Sequence, residues 1–312
     1  MLGDLIAAGI PAEADAPLGA RTWYRCGGRA ELLVKPRTVD EAAEIRRRSA
    51  DSGTPFRVLG GGANLLVPEG VVPGITARLA GPAFEGVRLE AQRLEAGAGV
   101  DLYALVTAAT RAGLAGLARV AGVPGTVGGG IAMNAGGAHG ALGDRLASAT
   151  LLDAAGRLER VPPSALRLGY RTSELGGRLV VAAAFLLEPE DPASIRARVR
   201  ERLALKKAEQ PLAAKSAGCA FRNPSGASAS VGDPQDPGSW AAGKLIDAAG
   251  CKGLRIGSAR VSERHANFVT VDAGGRAADV LAVMDEAARR VADRFGVALE
   301  REVAVWTTRP SP

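Results

Sequence analysis

Apolar and polar positions change period several times along the chain, and each change marks an element. The stretch "RAELLVKPRTVDEAAEIRRRSADSGTPFRVLGGGANLL" reads strand, helix, strand and glycine loop. In it Thr38 and Glu41 have the spacing of a capping box, Ile45 lies on the apolar face, and Gly53 with Pro55 stops the helix. A second helix is predicted from Asp101, with Leu102, Leu105 and Val106 facing inward and Gly113 ending it. The alternation in "ATLLDAAGRLERV", 149–161, predicts a hairpin turning at Ala155-Gly156. Asp191 as cap, Pro192 in the first helical position and Pro211 as stop bracket a third helix. The arginines of that helix read as a solvated face, and its position suits a linker between domains. The last long helix spans 277–295, with Val280, Met284, Ala287 and Val291 on one stripe and Gly296 after it. "VALEREVAVW" then reads as a closing strand. Strands and helices alternate irregularly, so the predicted class is α+β rather than doubly wound.

Composition narrows the function classes. The longest apolar run, "LVVAAAFLL" at 179–187, is too short to span a bilayer, so no membrane association is expected. The first residues, "MLGDLIAAGIPAEAD", lack a basic region ahead of the apolar run, which argues against a secretory signal. Three cysteines without paired spacing imply free thiols in a reducing cytoplasm. The only histidines are His139 and His265, so no metal site is expected. A net charge of +6 favours anionic partners, but aromatics do not interleave with it, and nucleic acid is not an expected partner.

Two stretches are dense in glycine, "LGGGANLL" at 59–66 and "GVPGTVGGGIAMNAGGAHG" at 122–140. Consecutive glycines accept positive φ and let backbone N–H groups converge into a nest for phosphate oxygens. Neither stretch is a Walker loop or a Rossmann fingerprint. Taken singly, each reads first as a tight turn packed on a helix, since glycine loops are common. Together they suggest one extended diphosphate ligand, such as FAD held outside the Rossmann scheme.

Seven blocks in order carry a resemblance: "TWYRCGGRAELLVKP", "RVLGGGANLLV", "VPGTVGGGIAMNAGGAHG", "GYRTSEL", "SAGCAFRNP", "AGKLIDAAGCKGLRIGSARVSERHANFVTV" and "LEREVAVW". Over residues 20–306 the chain resembles the UDP-N-acetylenolpyruvoylglucosamine reductase family, flavoenzymes of peptidoglycan synthesis. The short spacing from "GYRTSEL" to "KKAEQP" leaves no room for an inserted substrate-clamping loop and resembles the family's second subtype. The resemblance implies an FAD-binding part of the vanillyl-alcohol-oxidase (PCMH) type and a smaller α+β substrate-binding domain. The expected boundaries are 1–205 for the FAD-binding domain and 206–295 for the substrate domain. Residues 296–312 are expected to return as a strand to the FAD-binding part. FAD and NADPH are the implied cofactors, a UDP-sugar the implied substrate, and a cytoplasmic monomer the expected form.

The reaction so implied passes hydride to the vinyl carbon of an enolpyruvyl ether and a proton to the adjacent carbon. Negative charge builds toward the carboxylate, and support for such charge is commonly the largest catalytic term. By analogy Arg171 in "GYRTSEL" binds the carboxylate and spreads enolate charge, a task suited to a permanently charged fork. Glu302 in "LEREVAVW" polarises the carboxylate or carries a proton in its neutral form, which requires a raised pKa. Glu300 is two residues away, so the motif rather than periodicity selects Glu302. Cys219 in "SAGCAFRNP" stands where the family pattern has serine, and a thiol is the readier proton donor. Without the resemblance, Cys219 reads as a small buried filler, and Arg171 and Glu302 as ordinary ion-pair residues. Cys26 and Cys251 read as packing residues.

Gly60, Gly61, Gly62, Asn64 and Leu65 are the candidates around the diphosphate. Pro124, Gly125, Thr126, Gly129 and Asn134 are candidates for a second wall reaching toward the flavin, where "VGGG" offers N–H groups. For the substrate, Asn223 offers an amide, and Lys244, Lys252 and Arg255 flank a glycine-punctuated segment able to meet phosphates. Lys206 and Lys207 are weaker candidates, since lysines at a helix end serve its dipole. His265 reads as structural. Two other readings remain: a flavin oxidase of the same fold, with His139 as an attachment point, and a flavin-free nucleotide-binding module.

Overall fold

The computed structural model describes residues 5, 8–137, 139–224, 233, 235, 236 and 239–309. Two units emerge, each with its own core. The first comprises Met1–Ala16, Ala30–Gly61 and Pro73–Leu205; the second comprises Pro17–Arg29, Gly62–Val72 and Lys206–Pro312.

The first unit contains two larger sheets, besides two short two-stranded ladders. One runs in the order Ala12–Pro17, Arg29–Val34, Val71–Ala77, Phe56–Val58, the last pair parallel. The helix Val39–Asp51 buries Ile45 in a cluster with Leu32, Val34, Ile75 and Ala77. Thr38 accepts from the Glu41 N–H at 3.1 Å, as the spacing predicts. The reciprocal arm lands one residue earlier, with Glu41 accepting from the Arg37 N–H at 2.7 Å.

The other sheet is antiparallel, in the order Leu158–Val161, Leu146–Leu152, Leu179–Leu186, Arg93–Gly97, Val87–Glu90. The hairpin forms at the predicted place, with Ala149 opposite Val161 and Gly156 at φ 74°. The apolar run that could not span a membrane is the middle strand, buried along most of its length, so both faces are hydrophobic. The helices Leu102–Arg111 and Val127–Ala132 share its core. Asp101 caps the first through the Tyr103 N–H at 2.7 Å. The helix Pro192–Glu209 starts at its predicted cap, where Asp191 accepts from the Ser194 N–H at 3.0 Å. Only Ile195 of this helix is buried, and Arg198 forms a two-bond pair with Glu190 at 2.7 and 2.6 Å.

The second unit packs the helices Ala242–Ala248 and Ala277–Phe295 on an antiparallel sheet of Arg255–Ile256, Ala259–Val261 and Val269–Val271. The predicted stripe Val280, Met284, Ala287 and Val291 is buried, and Gly296 ends the helix at φ 68°. The carboxylate of Glu69 accepts from the N–H groups of Ala277 and Ala278 at 2.7 and 3.1 Å, capping the helix from far along the chain.

The closing strand is not continuous as expected. The Glu302 N–H donates to Ala220 O, and Glu300 O accepts from the Arg222 N–H, so this part runs beside 220–222. Ala304–Val305 then pairs in parallel with Leu65–Leu66. The segment changes partner partway, and the change interrupts the ladder.

Candidate active site

In the first unit the two glycine loops meet. A Cβ on Gly60 would stand 2.9 Å from Thr126 Oγ1, and one on Gly61 would stand 2.8 Å from Gly125 Cα. Neither glycine has positive φ, so close approach, not backbone conformation, requires them. The N–H groups of Gly60 and Gly61 meet no backbone carbonyl among the described residues. Beside the junction lies a cavity of about 140 Å3, bordered by Leu59, Gly60, Thr126, Gly129 and Leu179 and by the charged residues Arg78, Glu85 and Arg178, the last paired with Glu159 at 2.8 Å. Sequence reasoning missed both arginines. The signal was Arg78's place directly after the apolar strand Val71–Ala77.

The run "VGGG" does not present its N–H groups as expected. Val127 donates to Val100 O at 2.8 Å, Gly128 to Ala98 O at 2.9 Å and Gly130 to Thr126 O at 2.7 Å. Gly129 donates a long 3.4 Å bond to the Thr126 hydroxyl that caps the helix. Gly128 and Gly130 are there for close packing, since a Cβ would meet Ala98 Cβ at 2.9 Å and Leu142 Cδ2 at 2.8 Å. Pro124 precedes Gly125, whose φ is 119° and whose carbonyl accepts from the Leu102 N–H at 2.9 Å.

Asn134 ends this segment at φ 41°. Its Nδ2 donates to Gly169 O at 2.9 Å and its Oδ1 accepts from the Gly143 N–H at 3.0 Å. Gly169 begins the turn that carries Arg171. Gly169 and Thr172 each donate to the other's carbonyl, at 3.1 and 3.4 Å, leaving Tyr170 and Arg171 as the loop. The Arg171 guanidinium lies 5.4 Å from the Tyr170 ring centroid.

The other two predicted catalytic residues lie in the second unit, on neighbouring segments. Cys219 bridges to Phe268, and Phe221 bridges to Arg301. The buried Asn267 locks the first segment, accepting from the Phe221 N–H at 2.9 Å and donating to Phe221 O at 2.8 Å. Glu302 is held by its own N–H on Ala220 O at 2.8 Å and by Asn64, whose Nδ2 donates to Glu302 O at 3.1 Å. Sequence reading gave Asn267 no role, although an amide within the apolar "HANFV" was a visible signal.

Other predicted positions have identifiable local work. In the second unit Gly62 sits at φ 63°, where a Cβ would lie within 2.4 Å of Arg21 O. Leu65 is buried in its short strand. The Asn223 side chain accepts from the Ala242 N–H at 3.0 Å, at the start of a helix. Lys244 lies 4.3 Å over the Trp240 ring, Lys252 pairs with Asp247 at 2.6 Å, and Arg255 pairs with Asp272 at 2.5 Å. Each predicted substrate cation therefore has a partner on its own unit.

Among the cysteines, Cys219 is half-buried while Cys26 and Cys251 are buried. Burial pushes the Cys26 thiol up to about 11 and raises Cys251 as well. Burial likewise lowers the pKa of His265, which stands edge-on to Phe268 at 4.8 Å. His139 is exposed and borders a separate cavity with Arg119, Arg145 and Arg202. Among the described residues no group of His, Cys, Asp or Glu could hold a metal ion, and no helix is long and apolar enough to cross a membrane.

Two family models match in succession: an FAD binding domain over residues 30–162, and the C-terminal domain of UDP-N-acetylenolpyruvoylglucosamine reductase over residues 210–306. The chain is 37% identical to UDP-N-acetylenolpyruvoylglucosamine reductase 2 of Symbiobacterium thermophilum, across 94% of its own length and 92% of that protein's. It is 39% identical to the reductase of Paramagnetospirillum magneticum, across 93% and 90%. The crystal structure of the reductase from Thermus caldophilus matches at a TM-score of 0.79 and 36% identity, covering 96% of this chain and 99% of that one. With both halves of the pattern present in order, the chain belongs to the UDP-N-acetylenolpyruvoylglucosamine reductase family.

Proposed function

We propose that the protein reduces the enolpyruvyl ether of UDP-N-acetylglucosamine to UDP-N-acetylmuramate in peptidoglycan synthesis, with FAD as its resident cofactor and NADPH as reductant. The observation that carries this reading is the junction of the two glycine loops at Gly60, Gly61, Gly125 and Thr126. The junction fits a dinucleotide: the approach is too close for a β-carbon, the Gly60 and Gly61 N–H groups have no backbone partner among the described residues, and Gly60 borders a cavity that Arg78 and Arg178 also line. Gly60, Gly61, Thr126 and Gly129 would hold the cofactor in this unit. The family's FAD binding domain covers the same stretch. When bound, FAD supplies hydride to the vinyl carbon of the substrate.

The chain's own groups do the rest. Arg171 binds the substrate carboxylate and draws in the charge that develops there, its guanidinium geometry matching the two oxygens. Glu302 polarises the same carboxylate or holds a proton beside it. Cys219 Sγ–H gives its proton to the carbon next to the carboxylate, completing the D-lactyl ether, and the thiolate is reprotonated from solvent. The serine common at this place in the family donates the same proton less readily, so cysteine preserves the chemistry. Asn223, Lys244, Lys252 and Arg255 remain the proposed contacts for the UDP moiety; a diphosphate would have to displace the carboxylates Asp247 and Asp272 from Lys252 and Arg255. We assign the FAD-binding role to residues 1–205, the substrate role to 206–295 and a closing role to 296–312. A cytoplasmic monomer suits a reaction that draws on NADPH and a nucleotide sugar.

Anaerobic NADPH should bleach the flavin band of the yellow protein, and the enolpyruvyl sugar should restore it. A preparation that neither carries nor takes up flavin ends this reading. Recovery with oxygen but not with the sugar would turn it into an oxidase.

A further inference from the structure

Asn134 stands at the end of the helix Val127–Ala132, whose other end is capped by Thr126 against Gly60. Its carboxamide is engaged on both sides, by Gly169 O at 2.9 Å and the Gly143 N–H at 3.0 Å. Just past the turn, the Ser173 hydroxyl donates to Ala132 O at 2.9 Å. The loop that presents Arg171 is therefore tied, before and after, to the last residues of one short helix. Arg171 itself is at φ 56°, a conformation that a side chain bearing Cβ adopts only when its surroundings hold it.

We infer that Asn134 is a positioning residue for Arg171, holding the Gly169–Thr172 turn so that the guanidinium is placed before substrate arrives. This rests on the role given to Arg171 above. A fork that binds two carboxylate oxygens works only in register, and a displacement of about 1 Å at such a group costs on the order of a hundredfold in rate. The bonds at the base of the turn, from Asn134 on one side and from Ser173 on the other, fix where it begins and ends. Asparagine also tolerates positive φ, so the competing explanation is that Asn134 serves its own backbone alone.

Two variants separate these. Asn134→Gly keeps the backbone conformation and removes the amide. Asn134→Asp keeps the acceptor for Gly143 and loses the donor to Gly169. In both, reoxidation by the enolpyruvyl sugar should slow roughly ten- to a hundredfold, and far more than bleaching by NADPH does. Independently of turnover, trypsin should cut after Arg171 faster in both variants, and Ser173→Ala should shift that rate in the same direction. Wild-type reoxidation and wild-type tryptic cleavage in Asn134→Gly would overturn the inference. So would loss of flavin with equal slowing of both half-reactions, which would make Asn134 a support of the cofactor loops. If Arg171→Gln reoxidises normally, the role of Arg171 itself fails, and the tryptic comparison still decides whether Asn134 holds the turn.

Discussion

Asn64 and Glu302 are joined by a hydrogen bond from the Asn64 side chain to the Glu302 backbone carbonyl at 3.1 Å, across 238 positions of sequence. Close by, the Ala304 N–H donates to Asn64 O at 3.2 Å. One residue of the glycine-rich motif thus fixes the segment that carries the proposed catalytic carboxylate. Asn64→Ala removes the side-chain bond and leaves the backbone one. The expected loss of stability is about 1 kcal/mol, read as a lower denaturation midpoint. Reoxidation by substrate should slow more than reduction by NADPH. A variant that instead loses flavin and keeps the ratio of the two rates would put the Asn64 amide on the cofactor.

Gly61→Ala tests the junction of the loops. Its φ would accept a β-carbon, but Gly125 Cα lies 2.8 Å from where that carbon must go, so one backbone has to move. Overpacking of this kind costs about 1–3 kcal/mol. The variant should fold with unchanged far-ultraviolet circular dichroism and bind FAD at least tenfold more weakly in apoprotein titrations. Gly86→Ala is the control: it adds the same methyl at φ −75°, where the nearest atom, Pro82 O, stands 3.6 Å away. If the two variants bind FAD alike, the junction is not the cofactor site.

Thiol chemistry separates Cys219 from its two neighbours in composition. Cys26 and Cys251 are buried and their thiols are pushed upward, Cys26 to about 11, so near pH 8 both are protonated and shielded. Iodoacetamide on the native holoenzyme should therefore give one major adduct, at Cys219, identified by peptide mass. The UDP-sugar should protect it. Modified protein and Cys219→Ala should both be bleached by NADPH and fail to recover with substrate, whereas Cys219→Ser should recover. Recovery at wild-type speed in the alanine variant would remove the proton-donor role.

Much of the architecture was legible in one dimension because it depends on short-range physics. The caps at Thr38 and Asp191, the turn at Gly156, and the helix 277–295 with its stop at Gly296 all rest on bonds or periodicities within a few residues, and they stand where the pattern put them. The family was legible too, because its ordered motifs survive as letters.

What a side chain does with its polar atoms was not legible. The three "VGGG" glycines suggest donors in sequence, yet their chief constraint is the nearness of Ala98, Leu142 and the Thr126 cap. The amides of Asn64, Asn134 and Asn223 look like ligand contacts, and each holds a distant backbone group. The closing strand reads as one ladder, but its partner changes between Ala220 and Leu65. By itself the sequence determined where helices and turns begin and end, and which family pattern the chain carries, since these follow from local bonding and residue order. Only the tertiary structure decided which carbonyl each amide meets and which glycine is forced by a neighbour, because those depend on distances between segments that no local rule contains.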